Sequence, residues 1–576
     1  MINQKQGRSQ IILLLVWTLL GTCLRISNLT AKPPWADEWA TLVFSLGNSF
    51  LTVPLNQLIS INDLLQPLQL GANFAFSDVV HNLLTESTHP PFYFLLTHTW
   101  LHLFSPDTSL VSVGVARSLS VMFGVIGIPA SFGLAYLVTE SPVCGQIAAL
   151  LMAFSPYGIY LAQETRHYTL VILIVMASLT CLLLTLRHLR QTKLIPWSII
   201  LLWIVLNSWG VATHYFLALA LVGEILVLVP YLLKDLRTKE RLRLNWVSWR
   251  RILLAVLGTV AGCSVWVWTW LGIPDNQLTN WIKPENLRGI NWLEPWGRLI
   301  GWISSMIVLL PIEGVPVWVT IISVLICLLL VIWLVAMAIK FWQQCQATHN
   351  QGFHNLRAIA QYLLVSLSLI LLIVYFGDRD LTLAARFQFF YFPAVIILAA
   401  SVLQNVWQNV WQKRATIQAR AMVILMLLIS LAGSLSVVNN YAYQKPDRPD
   451  LVVPVIQEAQ AKQPQIPLLI ATVYKTHEQT GEMMGLAWEW SKNTSDEMDS
   501  PQFLLLPKIP NIPDAEITKK FHTQLAKLTR PFDVWVVNFS APTGQDDLNC
   551  PADLDYKRRV SGYRFRLLHC LPIANG

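Results

Sequence analysis

The sequence predicts a polytopic α-helical membrane protein that carries one water-soluble α/β domain at its C-terminal end. Three observations predict it: the chain is poor in charge, its apolar residues gather in runs long enough to span a bilayer, and the pattern changes near residue 440. Of 576 residues, 54% are hydrophobic and 13% charged, and the mean hydropathy is +0.49. A soluble globular chain carries roughly 25% charged residues. Half that share cannot cover a water-facing surface, so the excess apolar surface faces lipid.

Apolar runs fall at 10–29, 112–138, 143–161, 168–187, 195–212, 213–233, 251–272, 316–340, 357–377, 382–404 and 417–438. Each approaches the roughly 17–25 residues that a spanning helix needs. Two lesser apolar helices, near 89–105 and 298–312, contain or abut Pro, His and Glu. If neither crosses, the basic clusters at 187–193, 234–251, 340–357 and 413–420 all face the cytoplasm, as the positive-inside rule requires. If both cross, the first two clusters move outside. The expectation is about eleven spans, with those two helices lying at the outer surface or re-entering. The protein is then a multi-pass plasma-membrane protein with a cytoplasmic N-terminus.

Two domains are expected. Residues 1–440 form the transmembrane domain, with a large first outer loop at 30–111. Residues 441–576 form a soluble extracytoplasmic α/β domain, because short β-prone runs at 467–474 and 532–538 alternate there with polar helical stretches. The formal charge of +8 sits in short clusters between apolar runs, which points to membrane lipids as partners and not to nucleic acid. Six of the eight cysteines lie in or beside apolar segments. The other two, Cys550 and Cys570, share the domain assigned to an oxidising exterior, so a disulfide between them is expected. No Cys/His spacing of a metal site occurs, and no metal is expected.

The first outer loop opens with Pro34-Trp35-Ala36-Asp37-Glu38-Trp39. Two adjacent carboxylates at a membrane boundary suit a general base, because partial desolvation raises a carboxylate pKa toward neutrality. The plain alternative is a solvated loop start with an aromatic interfacial belt. His89-Pro90-Pro91 begins the next helix. His98 and His102 share a face of it at i, i+4, a spacing read as structural. Gln163-Glu164-Thr165-Arg166-His167-Tyr168 fills a very short outer turn, where charges are costly unless paired or functional. Arg386 sits similarly at another outer helix end. Two arginines at one depth suggest an anion site, and phosphate suits their fork geometry; the alternative is snorkelling to lipid headgroups. His214-Tyr215, Lys283 and Arg288 are lesser candidates. Glu224 is the one carboxylate near mid-span, with no evident partner in the sequence.

In order along the chain, these motifs resemble those of the GT-C membrane glycosyltransferases, in the branch of protein O-mannosyltransferases and aminoarabinose transferases (glycosyltransferase family 39-like). Asp37-Glu38 matches the acidic pair of the first outer loop, and His89-Pro90-Pro91 the segment before the next helix. Glu164-Thr165-Arg166-His167-Tyr168 resembles the acidic-x-Arg-x-Tyr turn. Arg386-Phe387 followed by Pro393 resembles the late Arg-aromatic motif, with Phe387 where Tyr is commoner. The resemblance covers roughly residues 10–440, and the tail carries no assigned motif. It implies an inverting transfer of a sugar, hexosyl or pentosyl, from a polyprenyl-phosphate carrier to an acceptor hydroxyl on the outer side. In that scheme Asp37 is the base and Glu38 positions acceptor or sugar. Arg166 and Arg386 bind the carrier phosphate, while His89, Glu164, Tyr168 and His214 complete the substrate site. No cofactor is required beyond the lipid-linked donor, and the resemblance leaves the acceptor open among protein, glycan and lipid. A transporter or lipid flippase and a non-catalytic membrane scaffold are the rival readings.

Overall fold

The structure is a computed structural model that describes residues 4–71, 75–87, 89–105, 110–271, 281–283, 287, 289–348, 351–408, 415–493, 500–508, 513–544 and 548–572. Arg288, Lys413 and Arg414 lie outside the described residues. Among the described residues, eight helices are long and apolar enough to cross a membrane: Gly7–Ile26, Val113–Thr139, Tyr168–Arg190, Leu217–Arg237, Lys239–Val267, Val317–Gln346, Gly352–Phe376 and Ile417–Val438. A further crossing is available to Pro142–Phe154 with Pro156–Ala162, a pair bent by 55° at its break. Trp197–Thr213 and Phe392–Gln408 are apolar and shorter. Every apolar run read from the sequence overlaps one of these helices or the bent pair, although the run at 382–404 becomes α-helical only from Phe392. The chain is an integral membrane protein of the polytopic α-helical class. Phe92–Phe104 and Glu294–Ile307, of 13 and 14 residues, reach only about 20 Å at 1.5 Å per residue. Each falls short of a hydrocarbon core of about 30 Å.

The chain divides into two compact units. One comprises Met1–Leu29, Thr88–Tyr93 and Arg117–Gln444; the other comprises Thr30–Ser87, Phe94–Ala116 and Lys445–Gly576. Most of the segment 30–111 therefore folds with the C-terminal segment, whereas the sequence grouped it with the membrane helices.

In the membrane unit, the bend between Phe154 and Pro156 shows how a break between two apolar helices is held. A break inside lipid frees backbone carbonyls that water cannot reach. Arg25, fully buried on the first helix, donates from Nη2 to Met152 O at 2.8 Å and from Nη1 to Ala153 O at 3.1 Å. The Ser430 and Ser434 hydroxyls both donate to Phe154 O, at 3.0 and 2.5 Å. The small residues Gly21, Gly124 and Gly158 leave room for the guanidinium: a Cβ on any of them would come within 3.5 Å of it. Glu224, unpartnered in the sequence reading, has its partners on neighbouring helices. Its Oε2 accepts from the Ser178 hydroxyl at 2.8 Å and from Trp203 Nε1 at 3.0 Å.

The second unit is built on a six-stranded sheet. Its strands are β1 (Leu58–Ile59), β2 (Leu468–Tyr474), β3 (Gln502–Pro507), β4 (Phe532–Val537), β5 (Ala552–Val560) and β6 (Tyr563–Cys570), in the order β1-β3-β2-β4-β6-β5. The three central strands are parallel, and parallel neighbours need crossovers. His477–Asn493 and Asp514–Leu525 supply them. Alternation along the strands sorts the core into two faces. Ile470, Phe503, Leu505 and Trp535 pack with Trp39, Val43 and Phe44 of helix Ala36–Ser45, while Leu469, Leu504 and Val534 pack with Ile517 and Phe521. The first-loop strand β1 pairs antiparallel with β3. Apolar first-loop residues cover one sheet face, and that is why loop and tail fold together.

Cys550 and Cys570 are joined by a disulfide that closes a separation of 20 residues at one end of the β5–β6 hairpin. In the chain-entropy model such a loop stabilises the fold by about 3 kcal/mol. Cys550→Ser/Cys570→Ser should therefore lower the denaturant midpoint of this unit by a corresponding amount. Mass spectrometry of unreduced peptides should recover the two cysteines crosslinked; alkylated thiols at both positions would refute the bond.

Candidate functional site

The eight residues named from the sequence divide between the units. His89, Glu164, Arg166, Tyr168, His214 and Arg386 belong to the membrane unit, and Asp37 and Glu38 to the sheet unit.

In the membrane unit, the turn after Pro156–Ala162 runs into Tyr168–Arg190, the most enclosed of the eight long helices. Gln163, Glu164, Thr165, Arg166 and His167 are all buried. Gln163 Nε2 donates to Ser27 O at 2.8 Å, and the Ser120 hydroxyl donates to Arg166 O at 2.9 Å, so the turn is tied on both sides. Tyr93, two residues into the helix after His89-Pro90-Pro91, bonds Ser120 Oγ at 2.8 Å. This anchors that segment beside the turn. Arg166 Nη2 lies 3.2 Å from His89 Nε2, and its guanidinium is 5.8 Å from the Tyr168 ring centre.

Two imidazoles extend the cluster. His167 lies 4.4 Å, ring to ring, from His214, which in turn is 5.0 Å from Phe389. His214 Nδ1 accepts the Phe216 N–H at 3.0 Å, which places its proton on Nε2. Burial first, and then neighbouring cationic groups, hold both imidazoles well below their ordinary pKa. Both are neutral at pH 7. His167 Nε2 is buried and has no hydrogen-bond partner among the described residues. An unmet polar atom at this depth costs about 1–3 kcal/mol, and a ligand atom there would recover it.

Arg386 occupies a 3-10 turn, Ala385–Gln388, just before helix Phe392–Gln408. It is half-buried, stacked 4.9 Å from Trp281 and 5.4 Å from Phe387. Arg166 and Arg386 both act electrostatically on His214. The segment leading to Arg386 is held by Asp380, which accepts from Thr382 N at 2.9 Å and pairs with Arg298 at 2.5 Å. Tyr157 donates to Ala385 O at 3.0 Å. Arg298, on the short helix Glu294–Ile307, and Asp380 were not singled out in the sequence. Lys283 is exposed.

In the sheet unit, Asp37 and Glu38 occupy the first turn of helix Ala36–Ser45, where the helix dipole favours anions. They differ in environment. Glu38 is fully buried, and Lys445, 2% exposed, places Nζ 3.3 Å from its Oε2. Breaking such a pair from one side costs about 3–5 kcal/mol. Asp37 is half-buried. Ala36 N–H donates to Asp447 Oδ2 at 3.1 Å, and Trp39 packs on Trp488 at 5.4 Å. Gly481 and Gly485 on His477–Asn493 allow the close approach, since a Cβ on Gly481 would lie 3.3 Å from Ala36 Cα. His98 Nδ1 bonds Ser45 O at 2.8 Å, which settles it as structural. Among the described residues no three His, Cys, Asp or Glu side chains converge as a metal-binding set.

The sequence matches no protein-family model and no curated protein. Among solved structures, the chain is similar to ArnT from Cupriavidus metallidurans bound to undecaprenyl phosphate, at 13% identity and a TM-score of 0.49 over 98% of both chains. It is similar also to the oligosaccharyltransferase AglB from Archaeoglobus fulgidus in complex with an inhibitory peptide and a dolichol-phosphate. That match has 13% identity and a TM-score of 0.47 over 98% of this chain and 74% of that one. Similarity at this level does not by itself assign a family or an activity.

Proposed function

We propose that the chain is an inverting GT-C-type glycosyltransferase, which moves a hexosyl or pentosyl group from a polyprenyl monophosphate to an acceptor hydroxyl on the extracytoplasmic side. The observation that carries the reading is the buried turn at 163–168. It joins Arg166, His89 and the imidazoles of His167, which has an unmet nitrogen, and His214, on which both Arg166 and Arg386 act. Fixed guanidinium groups backed by neutral donors suit an anion whose charge grows during reaction.

In the proposed reaction, the acceptor oxygen gives its proton to Asp37 as it bonds to the anomeric carbon. The bond from that carbon to the phosphate oxygen breaks, and the electron pair leaves with the polyprenyl phosphate. Attack opposite the leaving group inverts the configuration. Arg166 and Arg386 take up the phosphate charge, with His89, His214 and Tyr168 as donors around it, and Glu164 completes the turn. A cavity of about 530 Å³ lies within the membrane unit, walled by Trp203, Val211, Phe216, Leu221, Ile225 and Trp266. Its apolar walls suit isoprenoid units of the carrier.

The test is turnover by the purified protein in proteoliposomes, supplied with a panel of polyprenyl-phosphate hexoses and pentoses. Release of polyprenyl phosphate, with a product of inverted anomeric configuration, is the expected result. No consumption of any donor by folded protein would remove the reading.

The proposed orientation places 30–111 and 441–576 outside and 188–194 and 234–250 inside, on the distribution of basic clusters. A disulfide in the C-terminal domain agrees with an oxidising exterior. Thr238→Cys in intact cells should resist an impermeant thiol reagent until the membrane is opened. Labelling of that cysteine from outside would invert the arrangement.

A further inference from the structure

The segment after residue 444 has no place in the reaction as drawn, yet it grips the one turn that carries both acids. Ala36 is tied on one side of Asp37: its N–H donates to Asp447 Oδ2 at 3.1 Å. Glu38 is tied on the other side, ion-paired with Lys445 at 3.3 Å where both side chains are buried. Behind them, Trp39 packs against Trp488. Gly481 lets the backbone of His477–Asn493 approach Ala36. His477 stacks on Phe50 at 5.2 Å and interacts electrostatically with Asp37. The backbone that carries Asp37, between two anchored neighbours, cannot shift without straining one of these ties.

We propose that Lys445 and Asp447 are positioning residues for Asp37, so that the C-terminal domain is part of the catalytic apparatus and Glu38 serves as its anchor. The inference rests on the reading of Asp37 as the base. It gives Glu38 a different task from direct contact with substrate, for a physical reason: a fully buried carboxylate paired with a buried ammonium is committed to that pair. Misplacement of a catalytic group by about 1 Å can cost about a hundredfold in rate, so the ties need only fail slightly to be felt.

The experiment uses the full-length protein in proteoliposomes and follows kcat, the donor KM and the melting temperature together. Lys445→Met should lower kcat by about a hundredfold and leave the donor KM within about twofold. Lys445→Arg, which keeps the cation, should recover most of the loss. Glu38→Met/Lys445→Met replaces both charges with apolar groups and should regain turnover over Lys445→Met alone. Should Lys445→Met fail to fold, Asp447→Ala removes the tie to Ala36 and should lower kcat about tenfold, again at constant KM. A stable Glu38→Met/Lys445→Met protein that stays as inactive as Lys445→Met would assign Glu38 to the chemistry and overturn the inference. Normal kcat in both Lys445→Met and Asp447→Ala would overturn it equally. Neither result touches the base assignment, which stands or falls on Asp37→Asn alone.

Discussion

Asp37→Asn is expected to lower the rate of sugar transfer by about 10²–10⁴-fold, the usual effect of removing a general base, while the donor stays bound. Asparagine keeps the volume and one acceptor oxygen but cannot take the proton of the acceptor hydroxyl. The two acids of the first loop are unequal in a way that makes the experiment sharp. Glu38 is fully enclosed and paired with Lys445, whereas Asp37 is half-buried in the same helical turn. Glu38→Gln should lower stability as well as turnover, since it leaves the buried Lys445 without its carboxylate, at a cost of up to about 3–5 kcal/mol, and loosens the anchor beside Asp37. Asp37→Asn should melt like the parent protein. Single-turnover measurement with a radiolabelled lipid-linked sugar separates the two effects. Near-parental turnover in well-folded Asp37→Asn would exclude this residue as the base.

The helices were legible because lipid imposes one strict rule, a long apolar run without charges, and each run of the sequence overlaps a helix or the bent pair. The two helices that break the rule with Pro, His and Glu were legible as exceptions, and their lengths of 13 and 14 residues agree with that reading. What periodicity could not carry was partnership at long range. Thr30–Ser87 looks like a loop of the membrane domain, yet its apolar residues cover the sheet, and two of its residues form an edge strand. Nothing local in 58–59 announces a strand whose partner stands more than 440 residues later. The same limit hid Lys445 from Glu38, Asp380 from Arg298, and Ser178 and Trp203 from Glu224. Arg166 was legible because an arginine in a five-residue turn between two apolar runs is costly wherever the chain goes. His167 was passed over as the residue between two more conspicuous ones; its unmet nitrogen appears only once the turn is seen to be buried.

Arg166→Ala is expected to weaken binding of the polyprenyl-phosphate sugar by about ten- to a hundredfold, since a hydrogen bond to a charged group contributes about 1.5–3 kcal/mol. A phosphate at the end of a membrane helix is poorly solvated by the adjacent hydrocarbon and must be neutralised by the protein. Arginine remains charged there and offers two parallel donors, whereas lysine offers a point charge, so Arg166→Lys should recover only part of the affinity. Arg386→Ala should lose less, because Arg386 is half-buried and keeps some of its solvation. The two arginines act on one imidazole, His214. If they also share one phosphate, the double variant should depart from additivity. Arg166 lies against His89 at 3.2 Å, so its removal also disturbs packing. Arg166→Gln, closer in length and still a donor, is the variant that keeps the turn filled. Direct titration of each purified variant with the lipid-linked sugar, in detergent at fixed ionic strength, reads these affinities. Headgroup snorkelling predicts a different outcome, with alanine at either position leaving donor affinity intact. Unchanged affinity in both single variants would remove the phosphate site, and with it the main support for a lipid-phosphate donor.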